Sequence, residues 1–171
     1  MMKKILGTSL LTVSLLASGA AAATAASAEA GPTLGPKGYG SLKLGQTVKQ
    51  ARATGAIVRK KAVKEGRCTG WDLKKYRTAK DEANVYISSR LGVAAIFAGK
   101  GVKTPQEIRI GSTFKQVKAA YPDLKKEADG LFTAKTPGNK KAHYSISFNT
   151  DTNKVAAIGL LLNKQDCNLA Y

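Results

Sequence analysis

The rhythm of apolar and polar positions along the chain changes several times, and the changes come twice. Leu42-Lys43-Leu44 and Ile108-Arg109-Ile110 alternate with the period of a half-buried strand. A glycine follows each alternation, Gly45 in one case and Gly111 in the other, and permits a sharp turn at positive φ. The spacing then becomes helical. Thr47 and Thr113 stand as N-caps, and Gln50 and Gln116, three residues on, complete two capping boxes. The predicted helices bury Val48, Ala51 and Ala53-Thr54 in the first copy, and Phe114, Val117 and Ala120-Tyr121 in the second. Gly55 ends the first helix. Pro122 ends the second, because the residue before a proline disfavours helical geometry.

The duplication continues downstream. "VAAI" occurs at Val93–Ile96 and again at Val155–Ile158. Each copy follows a Tyr-led strand, Tyr86–Ser88 or Tyr144–Phe148, so each reads as a β-hairpin with its own turn length. A further extended segment precedes each hairpin, at Arg67–Leu73 and at Leu131–Thr136. One unit is therefore a strand, a helix and then about three antiparallel strands. This predicts an α+β fold of two tandem β-α-β-β-β repeats, with helices packed on an antiparallel sheet. Repeat 1 spans 41–100 and repeat 2 spans 106–171, joined through "GKGVKTPQE" (99–107). The Gly/Pro-rich stretch 31–40 reads as a flexible lead. Units of about 60 residues are marginal alone, so the two share one compact domain.

The first 30 residues belong to a different class. Met1-Met2-Lys3-Lys4, an apolar run to about Ala23 and the small-residue tail Ala25–Ala30 form the pattern of a secretory signal peptide. A membrane anchor is the weaker alternative, because the run is rich in Gly, Ser, Thr and Ala and no charged stop follows it. The mature chain of about 141 residues is then expected outside the cell, released or held at the wall by charge. Cys68 and Cys167 are the two cysteines, and an oxidising compartment predicts a disulfide between them; two free thiols are the alternative.

Charge adds a constraint on partners. The full chain carries 28 basic and 11 acidic residues, a net charge of +17. Without Lys3, Lys4 and Glu29 the balance is 26 to 10, or +16. Such an excess attracts anionic partners in a salt-dependent way. A protein partner or an anionic envelope polymer fits, nucleic acid ranks below both, and nothing past the signal spans a membrane.

The twice-used Gly-x-Thr-x-x-Gln start, with hairpin strands after each copy, resembles the tandem repeat of the secreted β-lactamase inhibitor proteins (BLIP). It is also similar to the wider group that includes the BamE (SmpA/OmlA) lipoproteins. The resemblance implies a concave sheet that grips a partner protein. The family tends to carry a disulfide within each repeat, whereas here each copy contributes one cysteine, at non-equivalent places, so a bond would staple the copies together. The inhibitor family's contact loops have no counterpart here, and no inhibitory residue carries over.

The candidate binding residues are the basic ones that interrupt the repeats. "RKKAVKEGR" holds Arg59, Lys60, Lys61, Lys64 and Arg67; "LKKYR" holds Lys74, Lys75, Tyr76 and Arg77; Lys140 and Lys141 precede the last hairpin. Trp71 lies among them and reads either as an aromatic anchor within a basic patch or as a core residue beside the disulfide. Catalytic chemistry has little to stand on. His143 is the one histidine, with no nucleophile motif near it, and Asp151 in "NTDTN" lacks the ligand spacing of a calcium loop. The expectation is a secreted, strongly basic, non-catalytic binding protein without a cofactor, inhibitor-like in acting through a sheet face and basic loops. A charge-held envelope protein is the first alternative and an unrecognised hydrolase the second.

Overall fold

The computed structural model describes residues 32–169, so the signal-peptide reading of residues 1–30 lies outside the described residues. The chain opens with three two-residue strands, β1 (Leu34–Gly35), β2 (Gly38–Tyr39) and β3 (Leu42–Lys43), which form a small antiparallel sheet. Helix α1 (Val48–Ala53) follows, then strands β4 (Ile57–Glu65), β5 (Cys68–Leu73), β6 (Val85–Ser88) and β7 (Gly92–Phe97). After a linker come α2 (Phe114–Ala120) and strands β8 (Lys125–Lys126), β9 (Phe132–Lys135), β10 (Ala142–Asn149) and β11 (Lys154–Leu162). The last eight strands make one antiparallel sheet in the order β4-β5-β6-β7-β11-β10-β9-β8.

This corrects the α+β expectation. The fold is mostly β, because the helices are only 6 and 7 residues long and are too short to form a layer over the sheet. Local chemistry sets both lengths. Thr47 Oγ1 accepts from Gln50 N at 3.3 Å while Gln50 Oε1 accepts from Thr47 N at 2.9 Å, and the same reciprocal pair joins Thr113 and Gln116. Gly45 and Gly111 precede these caps at φ 80° and 90°, a region that side chains rarely occupy. At the far ends, Gly55 turns at φ 67° after Thr54, and Tyr121 has already left helical geometry, at φ -129° and ψ 85°, before Pro122.

Each unit also has four strands after its helix rather than three. The stretch read as a basic loop, "RKKAVKEGR", is largely strand β4, at one edge of the sheet, and β8 is the other edge. Lysines along both edges blunt pairing with other chains. The Ile108–Ile110 match to Leu42–Leu44 is not a strand; Arg109 makes a single bridge to Lys103.

"VAAI" marks the same irregularity in both units. In the β6–β7 pair, Tyr86 faces Ala95 and Ile87 faces Val93, so Ala94 is an extra residue. In the β10–β11 pair, Ser147 faces Ala157 and Phe148 faces Val155, so Ala156 is extra. Both are β-bulges, which bend and twist the strand that carries them. This register equates Val85 with Ile146 and Tyr86 with Ser147; the two tyrosines aligned by sequence, Tyr86 and Tyr144, are not equivalent.

The units join through β7 and β11, where Ala95, Ile96 and Phe97 face Leu161, Leu160 and Gly159. The main core fills the front of the sheet with Trp71, Ile96, Tyr144, Ile158 and Leu160, closed by Ala51, Val117 and Tyr121 from the helical segments. The lead is built into this side. Leu34 is fully buried, its carbonyl accepts from the Tyr144 hydroxyl at 3.0 Å, and Asn139 Nδ2 donates to the Pro36 carbonyl at 2.7 Å. The β1–β2 pair, within the stretch read as a flexible lead, thus packs on the second unit.

Candidate functional site

Cross-strand neighbours in an antiparallel sheet point to the same side, so the register lays out the rear face row by row. One row is Lys125, Thr133, Ser145, Gly159 and Phe97. The next is Lys135, His143, Leu161, Ala95, Tyr86 and Gly70. Thr133, Ser145, Gly159, Ala95 and Gly70 are the short side chains among them. The aromatic rings of Tyr86 and Phe97 meet edge-on near the middle, 6.1 Å apart.

The two halves of this face differ. Over β5–β7 the C-terminal segment is pinned by the Cys68–Cys167 disulfide, which links positions 99 residues apart. Cys68, Ala94 and Cys167 are buried together, with Tyr86, Leu162 and Leu169 packed on them. A disulfide so buried is compatible with an oxidising, extracellular setting. Over β8–β11 the described residues place no such strap, and Thr133, His143, Ser147 and Ala157 are partly open to solvent. Even the two bulges show it: Ala94 is buried while Ala156 is exposed.

Two depressions of about 760 Å³ each border the rear face. One is lined by Tyr76, Arg77, Tyr86, Phe97, Ala157 and Leu169, among others. The other, near the β8–β10 edge, includes Asp123, Glu127, Lys135, Lys140 and His143. In the second, Asn163 Nδ2 donates to the Lys140 carbonyl at 2.9 Å, which leaves its Oδ1 to accept from His143 Nδ1 at 3.0 Å. Glu127 accepts from Thr133 Oγ1 at 2.7 Å and from Lys125 Nζ at 3.1 Å. These bonds, the Thr133 one first, hold its carboxyl below the usual range.

The basic candidates do not form one patch. Lys60 leaves the surface: it pairs with the buried Asp72 at 3.4 Å, and Asp72 also accepts from Thr78 Oγ1 at 2.6 Å. Lys61 and Lys64 are exposed on β4, and Arg67 is exposed in the turn that follows. Trp71 is a core residue, 4% exposed, whose Nε1 donates to Thr69 Oγ1 at 3.0 Å. The Arg59 guanidinium lies over its ring, 5.1 Å from the centroid. Lys74 shares a depression with Arg59 and Trp71, while Lys75, Tyr76 and Arg77 border the central rear depression. Lys140 and Lys141 are exposed near the far margin. Arg52, on α1, joins Arg59 and Lys74; its distance from them in the chain hid it from the sequence reading.

Among the described residues, the Cys, His, Asp and Glu side chains close enough to share an ion are Cys68, Asp166 and Cys167, and both sulfurs are bonded to each other. The Asp151 loop is shaped by Asn149 Oδ1, which accepts from Asp151 N and Thr152 N at 3.1 and 2.8 Å. No helix of the described residues is long and apolar enough to cross a membrane. Comparison with family models, with curated proteins and with solved structures finds no match to this chain.

Proposed function

We propose that this chain is a secreted, non-catalytic binding protein. It holds a partner protein on the open β8–β11 half of the rear face of its eight-stranded sheet, with the basic residues at the rim guiding the approach. The observation that carries the reading is the run of short side chains across β9–β11, where Thr133, Ser147 and Ala157 are partly open to solvent while Ser145 and Gly159 are buried between them. Such a surface is rigid before binding, so little ordering entropy opposes association. Tyr86 and Phe97 supply aromatic anchors beside it. An acidic partner suits the +16 charge of residues 31–171, which speeds encounter more than it tightens the final complex.

The inhibitor-like reading drawn from the resemblance to the β-lactamase inhibitor proteins is part of the same proposal. Its non-catalytic part rests on His143 and Glu127. The histidine is oriented by an amide rather than a carboxylate, and the glutamate is committed to Thr133 and Lys125. The test is retention of a co-secreted protein by the immobilised chain as salt is raised. A packed interface persists in moderate salt; a purely charge-held complex dissolves, which would sink the proposal.

A further inference from the structure

Three shallow depressions run one into the next around α1, on the front side of the sheet. The first includes Lys49 and Arg90, the second Arg52, Arg59 and Lys74, and the third Lys74 and Lys75. Val48 lines both the first and the second, and Gly55 and Lys74 line both the second and the third. Their volumes are about 350, 510 and 350 Å³. Six cations line this belt, and no aspartate or glutamate does.

The acids lie elsewhere. The two larger depressions carry Asp123 and Glu127 in one and Glu65, Asp81 and Glu82 in the other. The ion pairs among the described residues use Lys60, Lys103 and Lys125, so none of the six belt cations is neutralised by one. Charge that served solubility alone would be interspersed with acids. Segregated charge in a recess focuses the field and concentrates anions there.

The second unit differs at the position equivalent to Arg52. Lys118 stands where the first unit has Arg52, and it donates to the carbonyls of Pro122 and Leu124 at 3.1 and 3.4 Å. Three of the six belt cations are arginines, whose forked N–H groups match paired phosphate oxygens. Stacking on Trp71 holds Arg59 while leaving that fork free. A lipid surface fits less well: the belt is recessed, and the exposed large hydrophobic residue of the described chain, Ile110, is not part of it.

We propose that this belt is a binding track for a linear phosphate-bearing polymer, seated phosphate by phosphate along the three depressions. The track meets the rear depression only at Lys75, and Arg52, Arg59 and Lys74 do not line that depression, so the inference stands or falls independently of the partner-face reading.

The test is calorimetric titration of the exported chain with short inorganic polyphosphate over a series of salt concentrations. Three proteins are compared: wild type, the belt variant Arg52→Ala/Arg59→Ala/Lys74→Ala, and the control variant Lys100→Ala/Lys135→Ala/Lys140→Ala. The expected result is a loss of about tenfold or more for the belt variant, with the log–log salt slope smaller by about 2, at roughly 0.7 per lost contact. The control should lose less than about threefold, which is what a general charge effect on exposed contacts allows. Equal losses in both variants, or no binding by wild type, would overturn the proposal. Arg52→Lys/Arg59→Lys keeps the charge and guards against misfolding of the triple variant; undiminished polyphosphate binding by it would remove the arginine-fork argument. Poly-L-glutamate binding as tight as polyphosphate, or preference for anionic vesicles, would likewise overturn the assignment. A single-stranded oligonucleotide of matched phosphate number separates the sources: tighter binding than polyphosphate identifies nucleic acid, weaker binding a base-free polymer, and both keep the track.

Discussion

Phe97 faces Gly159 across the central strand pair, and the two hold equivalent positions in the two copies of the repeat. Equating Val93 with Val155 equates Phe97 with Gly159, so the pseudo-two-fold axis relating the units passes through this pair. Two large side chains cannot both occupy one axis. A β-carbon at Gly159 would lie 2.6 Å from Phe97 Cε1 and 2.9 Å from Leu161 Cδ1. Gly159→Ala should therefore destabilise by about 1–3 kcal/mol, the usual cost of overpacking. Pairing it with Phe97→Leu should recover much of that loss. Urea unfolding of the single and double variants measures both; additive losses would show that the two residues do not compete for this space.

The disulfide should matter more than any single packing contact. It closes a separation of 99 residues and pins the C-terminal segment to the rear of β5–β7. Cys68→Ser/Cys167→Ser is expected to lose about 4–5 kcal/mol at the chain-entropy limit, and less if strap packing survives. A thiol titration of the folded protein before reduction should find none free.

Lys60 is a structural residue despite its place in a basic run. Asp72 is only 1% exposed and has Lys60 as its ion partner. Lys60→Ala leaves that carboxylate buried with only the Thr78 hydroxyl and N–H, and should cost about 3 kcal/mol. Lys61→Ala, on the same strand but exposed, should change stability by less than about 0.5 kcal/mol. Equal melting temperatures for the two variants would contradict the assignment.

Alkaline pH should unfold the protein through its buried tyrosines. Burial pushes Tyr121 up to about 12 from an ordinary value of 10.0, while its hydroxyl approaches Thr104 Oγ1 at 2.7 Å. Tyr144 is shifted in the same direction by burial. A raised folded-state value means that the unfolded chain loses its proton first. The stabilisation is thus fully present below pH 10 and falls as pH rises from about 10 to about 12. Stability curves for wild type and Tyr121→Phe should converge across that window; parallel curves would count against it.

What could be read without the structure was what is local. The caps Thr47–Gln50 and Thr113–Gln116 need only a three-residue spacing, and the glycine turns only one position each. "VAAI" could be recognised as a repeat, but its role as a bulge exists only once β6 and β10 supply partners. Strand β4 was hidden because its exposed Arg59, Lys61 and Lys64 look like a solvated loop, and only Ile57 and Val63 of its nine residues are buried. The candidate site was less legible than the fold. Arg52, Arg59 and Arg90 come together from a helix, an edge strand and a hairpin turn, and Lys60 is withdrawn by an acid twelve residues away.

The rear face is the central claim, and blocking it by bulk rather than by charge tests it most directly. Ser147→Arg/Ala157→Arg places two long side chains on partly open positions of β10 and β11 and leaves the protein no less basic. Wild type, this variant and the belt variant Arg52→Ala/Arg59→Ala/Lys74→Ala would each be immobilised and exposed to the producing cell's culture supernatant in moderate salt. Melting curves would confirm that all three are folded. A co-secreted protein held by wild type and by the belt variant, but lost from the rear-face variant, is the predicted result. The same protein held equally by the rear-face variant, or none held by wild type, would contradict it.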